Sequence, residues 1–191
     1  MNIAIVGATG NVGRKLLEVL EKKQFPIDEL FLIASSKSVG KKINFKGKEY
    51  SILDLEEFDF SKVKIAFFSA GSAIAEKWGP IAAEKTIVID NSKFFRKDPG
   101  IPLVVPEVNS KDLSLLKNRN IISNANCTVI PMVVALKPLH DLYQVKRIVA
   151  STYQSVSGGG KAPMDELLSQ TKEFFEKIEL KSKYFTKQIA F

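Results

Sequence analysis

The chain has 191 residues, of which 45% are hydrophobic and 26% charged, with one cysteine, one histidine and a net charge of +7. This is the balance of a soluble domain able to bury a core, with length left for part of another; one cysteine excludes an intramolecular disulfide, and a zinc site would depend on several carboxylates. No apolar run reaches the roughly 18–20 residues of a membrane span, no signal-peptide layout precedes a strand that starts at residue 2, and the lysines form no aromatic-interleaved basic stripe, so the expectation is a cytoplasmic protein without a membrane or nucleic-acid partner.

Asn2 to Val6 reads as a short apolar strand. Val12 to Lys22 places Val12, Leu16, Leu17, Val19 and Leu20 at helical spacing with the charges opposite. Between them lies the turn Gly7-Ala8-Thr9-Gly10-Asn11-Val12-Gly13. Glycines there permit a tight turn and close backbone approach, and the following helix start offers unpaired N–H groups to a pyrophosphate. Its G-x-x-G-x-x-G spacing departs from the commoner G-x-G-x-x-G. The position between a strand and a periodic helix is what makes it a dinucleotide cradle, with Gly7, Thr9, Gly10, Asn11, Val12 and Gly13 as cofactor-binding residues.

Glu29 to Ala34 is a second strand. An NAD-type site places an acidic residue about 20 positions after the glycine loop, at the end of that strand, to hold the ribose 2′-hydroxyl. Here Ser35-Ser36-Lys37-Ser38 stands instead, offering hydroxyls and one ammonium suited to a 2′-phosphate, so the cofactor expected is NADP. Lys41 to Ser51 reads as a lysine-rich excursion around Gly47, Ile65 to Ser69 as a strand, Ala73 to Glu84 as a helix and Ile87 to Asp90 as a strand. Leu103 to Val105 and Asn120 to Ile122 are short strands around a small helix that Ser110 would cap. This alternation gives an α/β fold, a Rossmann-type doubly wound parallel sheet over residues 1–125.

The pattern changes at Cys127. A helix runs from about Thr128, then a β-rich strand Arg147 to Tyr153, the run Gly158-Gly159-Gly160, an amphipathic helix Pro163 to Ile178, and a strand beginning at Gln188 to Phe191. Residues 126–191 are therefore expected to open a second α/β domain that is incomplete. A lone cysteine is usually a small buried hydrophobe. Cys127, however, follows a strand and precedes a helix whose first turn holds Pro131, a place where the macrodipole favours the thiolate and its nucleophilic chemistry.

The sequence resembles aspartate-β-semialdehyde dehydrogenases along nearly its whole length. The resemblance is carried by Gly7 to Gly13, Ser69-Ala70-Gly71, Asp90-Asn91-Ser92, Pro102 to Asn109, Asn126-Cys127 and Ser151-Thr152-Tyr153-Gln154-Ser155-Val156-Ser157-Gly158. It implies NADPH-dependent reductive dephosphorylation of aspartyl phosphate to aspartate semialdehyde, feeding lysine, threonine, methionine and diaminopimelate synthesis. It implies Cys127 as nucleophile through a thioester, Gln154 orienting substrate or water, Arg96 holding the substrate phosphate, Lys37 and Ser38 on the cofactor 2′-phosphate, and Ser157 and Gly158 near the nicotinamide. It also implies a homo-oligomer and makes residues 126–191 the start of the catalytic and dimerisation domain. Lys93, Pro131 and Gly159 depart from the family's usual residues. The family's general-base histidine is expected beyond residue 191, so this chain is expected to be inactive alone, and His140 would not replace it, since thirteen residues of helix put it nearly 20 Å from the thiol. N-acetylglutamyl-phosphate reductase shares the cysteine and NADPH logic, but Pro102 to Asn109 and Ser151 to Gly158 favour the aspartate enzyme. A non-catalytic NADP-binding module is the alternative outside enzymes.

Overall fold

A computed structural model describes the backbone of residues 1–191 and every side chain except those of residues 117 and 118. Contacts divide the chain into two compact units, Met1–Val149 and Ala150–Phe191.

The first unit is built on strand β1 (Ile3–Val6), every residue of which is buried. Such a strand suits the centre of a sheet covered on both faces. It pairs in parallel with β2 (Leu30–Ala34) on one side and β5 (Ile65–Phe68) on the other. Adding β3 (Lys42–Phe45), β4 (Lys48–Asp54), β6 (Ile87–Asp90), β7 (Leu103–Val104) and β8 (Ile121–Asn124) gives one eight-stranded sheet in the order β3-β4-β2-β1-β5-β6-β8-β7. All ladders are parallel except β3 on β4. The strand order reverses at β1, which makes the ends of β1 and β5 the switch point where such sheets bind nucleotides.

Alternation along β1 divides the core. Ile3 and Ile5 join Leu17 and Leu20 of helix α1 (Asn11–Lys22) and Leu32 on one face. Ala4 and Val6 join Ala75, Ala82 and Ala83 of helix α2 (Ser72–Ala83), with Phe68 and Val88, on the other. A doubly wound α/β sheet is thus observed. Helices α3 (Pro106–Asn109) and α4 (Val129–Tyr143) complete the unit.

Several segments differ from what their sequence suggests. The lysine-rich excursion Lys41 to Ser51 is the β3–β4 hairpin, closed between Phe45 and Lys48 by Lys46 and Gly47, both at positive φ (50° and 75°). Its polar residues Lys42, Asn44, Glu49 and Ser51 alternate with Ile43, Phe45, Tyr50 and Ile52, of which Phe45 and Ile52 are buried, so the segment is a half-buried ribbon. Ser110 makes no cap; the Asn109 side chain instead accepts from the Val105 amide at 2.8 Å. Arg147 to Tyr153 forms no ladder, with Val149 81% and Tyr153 98% exposed, because no described residues supply a neighbouring strand.

The second unit contains helix α5 (Lys161–Phe175), where a helix over Pro163 to Ile178 was expected. Gly160, at φ 91°, turns the chain into it. Gln188 to Phe191 is also not a strand. The amides of Ile189 and Ala190 donate to Oε1 of the fully buried Gln170, at 3.0 and 3.2 Å, so one helix side chain takes the place of a ladder partner. Buried Glu166, one turn earlier, accepts from Gln170 Nε2 at 3.1 Å and from the Tyr184 amide.

Candidate active site

Parallel strands deliver the loops that follow β1, β2, β5, β6 and β8 to one edge of the sheet, and the sequence-assigned residues of the first unit lie in those loops or beside them. After β1, Gly7 takes φ 88° and its amide donates to Ile33 O at 2.8 Å. A Cβ on Gly7 would stand 2.6 Å from Ser69 O, and one on Gly13 would stand 2.4 Å from Gly7 O. A Cβ on Gly10 would meet only Gly7 O, at 3.3 Å. Gly7 and Gly13 therefore let the loop press against β5 and α1, leaving a cradle that side chains would fill.

Gly10 is the extended residue preceding α1, and neither a side-chain cap nor an acidic first-turn residue neutralises the helix start. Thr9 O accepts from Arg14 Nε at 3.3 Å, and Val12 is 50% exposed on the first turn. This backbone fits a bound pyrophosphate, with the positive end of the helix dipole facing phosphate oxygens while the Gly7, Ala8 and Gly10 amides hold the loop to Ile33 O and Gly7 O. After β2, Ser36–Ser38 form a single helical turn carrying an exposed Lys37 and a half-buried Ser38, whose amide donates to Ser35 O at 2.8 Å.

The other half of the edge is a polar network. Asp90 ends β6 with 1% of its surface exposed, accepting from the Ser92 amide at 3.0 Å and from Ser92 Oγ at 2.7 Å. Burial pushes its carboxyl above the ordinary value, against the opposing pull of the Ser92 bonds and the nearby Arg96 charge. Arg96 follows in a half-buried turn. Its Nε donates to Asn124 O at 2.9 Å and its Nη2 to Asn91 O at 3.2 Å. Asn124 Nδ2 closes the loop by donating to Asn91 Oδ1 at 2.7 Å.

Three residues beyond Asn124 the thiol of Cys127 is exposed. Its conformation is set by Asn126, whose Oδ1 accepts from the Thr128 amide at 2.9 Å, from Thr128 Oγ1 at 2.6 Å and from Cys127 Sγ at 3.9 Å. Thr128 immediately precedes α4. Asn91 and Asn126 stand in segments that carry the resemblance, but neither they nor Asn124 were given a role from the sequence. For Asn126 a signal existed, since an Asn just ahead of a helix commonly receives its first amides.

His140 lies in the last turn of α4, where its carbonyl accepts from the Gln144 amide at 2.8 Å. It lines a cavity of about 360 Å3 with Leu136 and Ile148. Among the described residues no cluster of His, Cys, Asp and Glu is arranged to hold a metal ion, and no helix is long and apolar enough to cross a membrane.

Within the second unit, Gln154 folds over the turn Val156–Gly159. A Cβ on Gly158 would stand 2.0 Å from Gln154 Nε2, the far end of an exposed side chain that would have to swing aside. Ser155 Oγ holds the turn from its start, accepting from the Ser157 amide at 3.4 Å and lying 3.0 Å from Ser157 Oγ.

Residues 2–116 match the model of the semialdehyde dehydrogenase NAD binding domain, and residues 136–191 match that of the semialdehyde dehydrogenase dimerisation domain. An aspartate-semialdehyde dehydrogenase 2 of Vibrio cholerae is 53% identical over 191 residues, covering 100% of this chain and 57% of that protein. A crystal structure of aspartate semialdehyde dehydrogenase II from the same organism, in complex with ASA, superposes with a TM-score of 0.95 at 52% identity, over 99% of this chain and 56% of the other. The Candida albicans enzyme crystallised with NADP superposes with a TM-score of 0.60 at 25% identity, over 75% and 48% of the two chains. The chain thus spans little more than half the length of the Vibrio cholerae relatives.

Proposed function

Because the chain belongs to the semialdehyde dehydrogenase family, we propose that it carries the cofactor cradle and nucleophile of an NADPH-dependent aspartate-semialdehyde dehydrogenase. The observation that carries this reading is the common sheet edge. A glycine cradle after β1 and a thiol beside an arginine-braced loop after β8 stand at the same ends of one parallel sheet. An acyl-phosphate reductase needs those two elements together: a nucleotide to reduce with and a thiolate to attack with.

In this reading Gly7 to Gly13 hold the pyrophosphate, and Lys37 with Ser38 holds the 2′-phosphate. Arg96 spends two of its N–H groups on the Asn91 and Asn124 carbonyls, which fixes its guanidinium while leaving other donors for a phosphate oxygen. The Cys127 thiolate forms a C–S bond to the acyl carbon of aspartyl phosphate, the acyl C–O bond breaks, and inorganic phosphate leaves against Arg96. NADPH, when bound, supplies the hydride that takes the thioester to the aldehyde level. Gln154 orients the substrate, and Gly158 leaves room for it. Residues 126–191 open the catalytic and dimerisation domain, through which the protein pairs with a second copy in the cytoplasm.

The reverse reaction tests this. Extended by the part of the Vibrio cholerae relative that it does not cover, the chain should raise absorbance at the nicotinamide band with aspartate semialdehyde, phosphate and NADP, and Cys127→Ala should abolish the rise. Faster turnover of N-acetylglutamate semialdehyde would reassign the substrate. Cofactor binding with a thiol inert to both aldehydes would leave a binding module.

A further inference from the structure

Cofactor choice at the proposed site is contested between two strands. The end of β2 carries no carboxylate, yet β4 runs parallel beside it and its last residue, Asp54, pairs with Ala34, the last residue of β2. The Leu55 amide donates to Ala34 O at 3.2 Å, keeping the two ends level. Neighbouring strands stand about 4.8 Å apart, and alternation puts Asp54 on the same face as Ile52, the face that α1 covers. An acidic side chain therefore stands one strand away from the position where a dinucleotide site usually carries one.

The turn bearing Lys37 is fastened to the same strand. The Lys41 amide donates to Ser38 O at 3.2 Å, the Ile52 amide to Lys41 O at 2.8 Å, and the Gly40 amide to Ile52 O at 3.1 Å. One ammonium and one carboxylate thus flank the end of β2. Asp54 is half-buried, and its Oδ1 accepts from the Glu56 amide at 3.1 Å, which fixes the carboxylate in place. Glu56 itself is directed towards α2, 3.7 Å from Lys77 Nζ.

We propose that Asp54 is a specificity-determining residue acting against Lys37: its carboxylate accepts the ribose 2′-hydroxyl of NADH and repels the 2′-phosphate of NADPH. The chain then binds both dinucleotides, with only a modest preference for the phosphorylated one. This rests on the cofactor reading above. It differs from a sequence rule based on the end of the second strand, because the deciding carboxylate is supplied across a ladder by the third parallel position of the sheet.

Fluorescence titration of the chain with NADPH and with NADH tests the proposal. Asp54→Asn removes the charge yet keeps an acceptor for the Glu56 amide. It should shift the ratio of the two dissociation constants about fivefold towards NADPH, the scale of one unscreened charge pair near 4 Å in water. Asp54→Ser should shift it the same way, and Lys37→Gln the opposite way by weakening NADPH. Affinities for both dinucleotides falling together in the Asp54 variants, or an unchanged ratio, would overturn the inference while leaving the cofactor reading intact. Failure of the wild-type chain to bind either dinucleotide would overturn both.

Discussion

Arg96 donates from Nε to the carbonyl oxygen of Asn124 at 2.9 Å, three residues before Cys127. This bond makes the arginine part of the loop that presents the thiol. Arg96→Ala is expected to destabilise the fold by about 1–3 kcal/mol, since it strips a charged donor from two carbonyls. Arg96→Lys should recover part of the stability while losing the bidentate grip on phosphate. Urea unfolding gives the first quantity, and protection of Cys127 from iodoacetamide by phosphate gives the second.

The glycine loop separates two positions that look alike in sequence. Gly13→Ala would force a Cβ to 2.4 Å from Gly7 O and should cost about 1–3 kcal/mol, with loss of dinucleotide binding. At Gly10 the nearest atom is 3.3 Å away, so Gly10→Ala should keep most of its stability. Thermal unfolding of the two variants, each followed by NADPH titration, ranks them.

Asp90 gives a pH signature. Its carboxyl is raised by burial, so the unfolded chain ionises it first, near its ordinary value of 3.8, and the folded chain only at higher pH. Between these values stability falls as pH rises, and the deficit then stays constant towards neutrality. Asp90→Asn should therefore gain on the wild type as pH rises through this window and match it most closely below pH 3.8. Urea midpoints of both proteins across the acid range check the sign.

In the second unit, Gln170 and Glu166 hold the segment from Tyr184 to Ala190 through backbone amides. Gln170→Leu leaves the Ile189 and Ala190 amides without their acceptor and should cost about 1–3 kcal/mol. Hydrogen exchange should accelerate at those two amides before it does in α5.

The sheet and its cradle were legible in the sequence because a four-residue apolar strand, three spaced glycines and a periodic helix constrain one another locally. The hairpin was hidden by its lysines, because the two-residue period is carried by Lys42 and Asn44 against Ile43 and Phe45 on one strand and by Glu49 and Ser51 against Tyr50 and Ile52 on the other. Arg147 to Tyr153 shows the opposite failure: β-branched residues raise strand propensity, but a strand exists only where another backbone pairs with it. Asp54 was out of reach for a related reason, since only the parallel pairing of β4 with β2 brings residues 34 and 54 together. The Arg96–Asn124 link likewise joins residues 28 positions apart through carbonyl oxygens, which residue type does not encode.

In the proposed reaction Cys127 is the nucleophile that becomes acylated. Mixing the chain with aspartyl phosphate without reductant and recording the intact mass tests it most directly. The expected result is one aspartyl group on Cys127, released by hydroxylamine, accompanied by inorganic phosphate and absent from Cys127→Ala. An unmodified thiol in a folded chain that binds NADPH would contradict it.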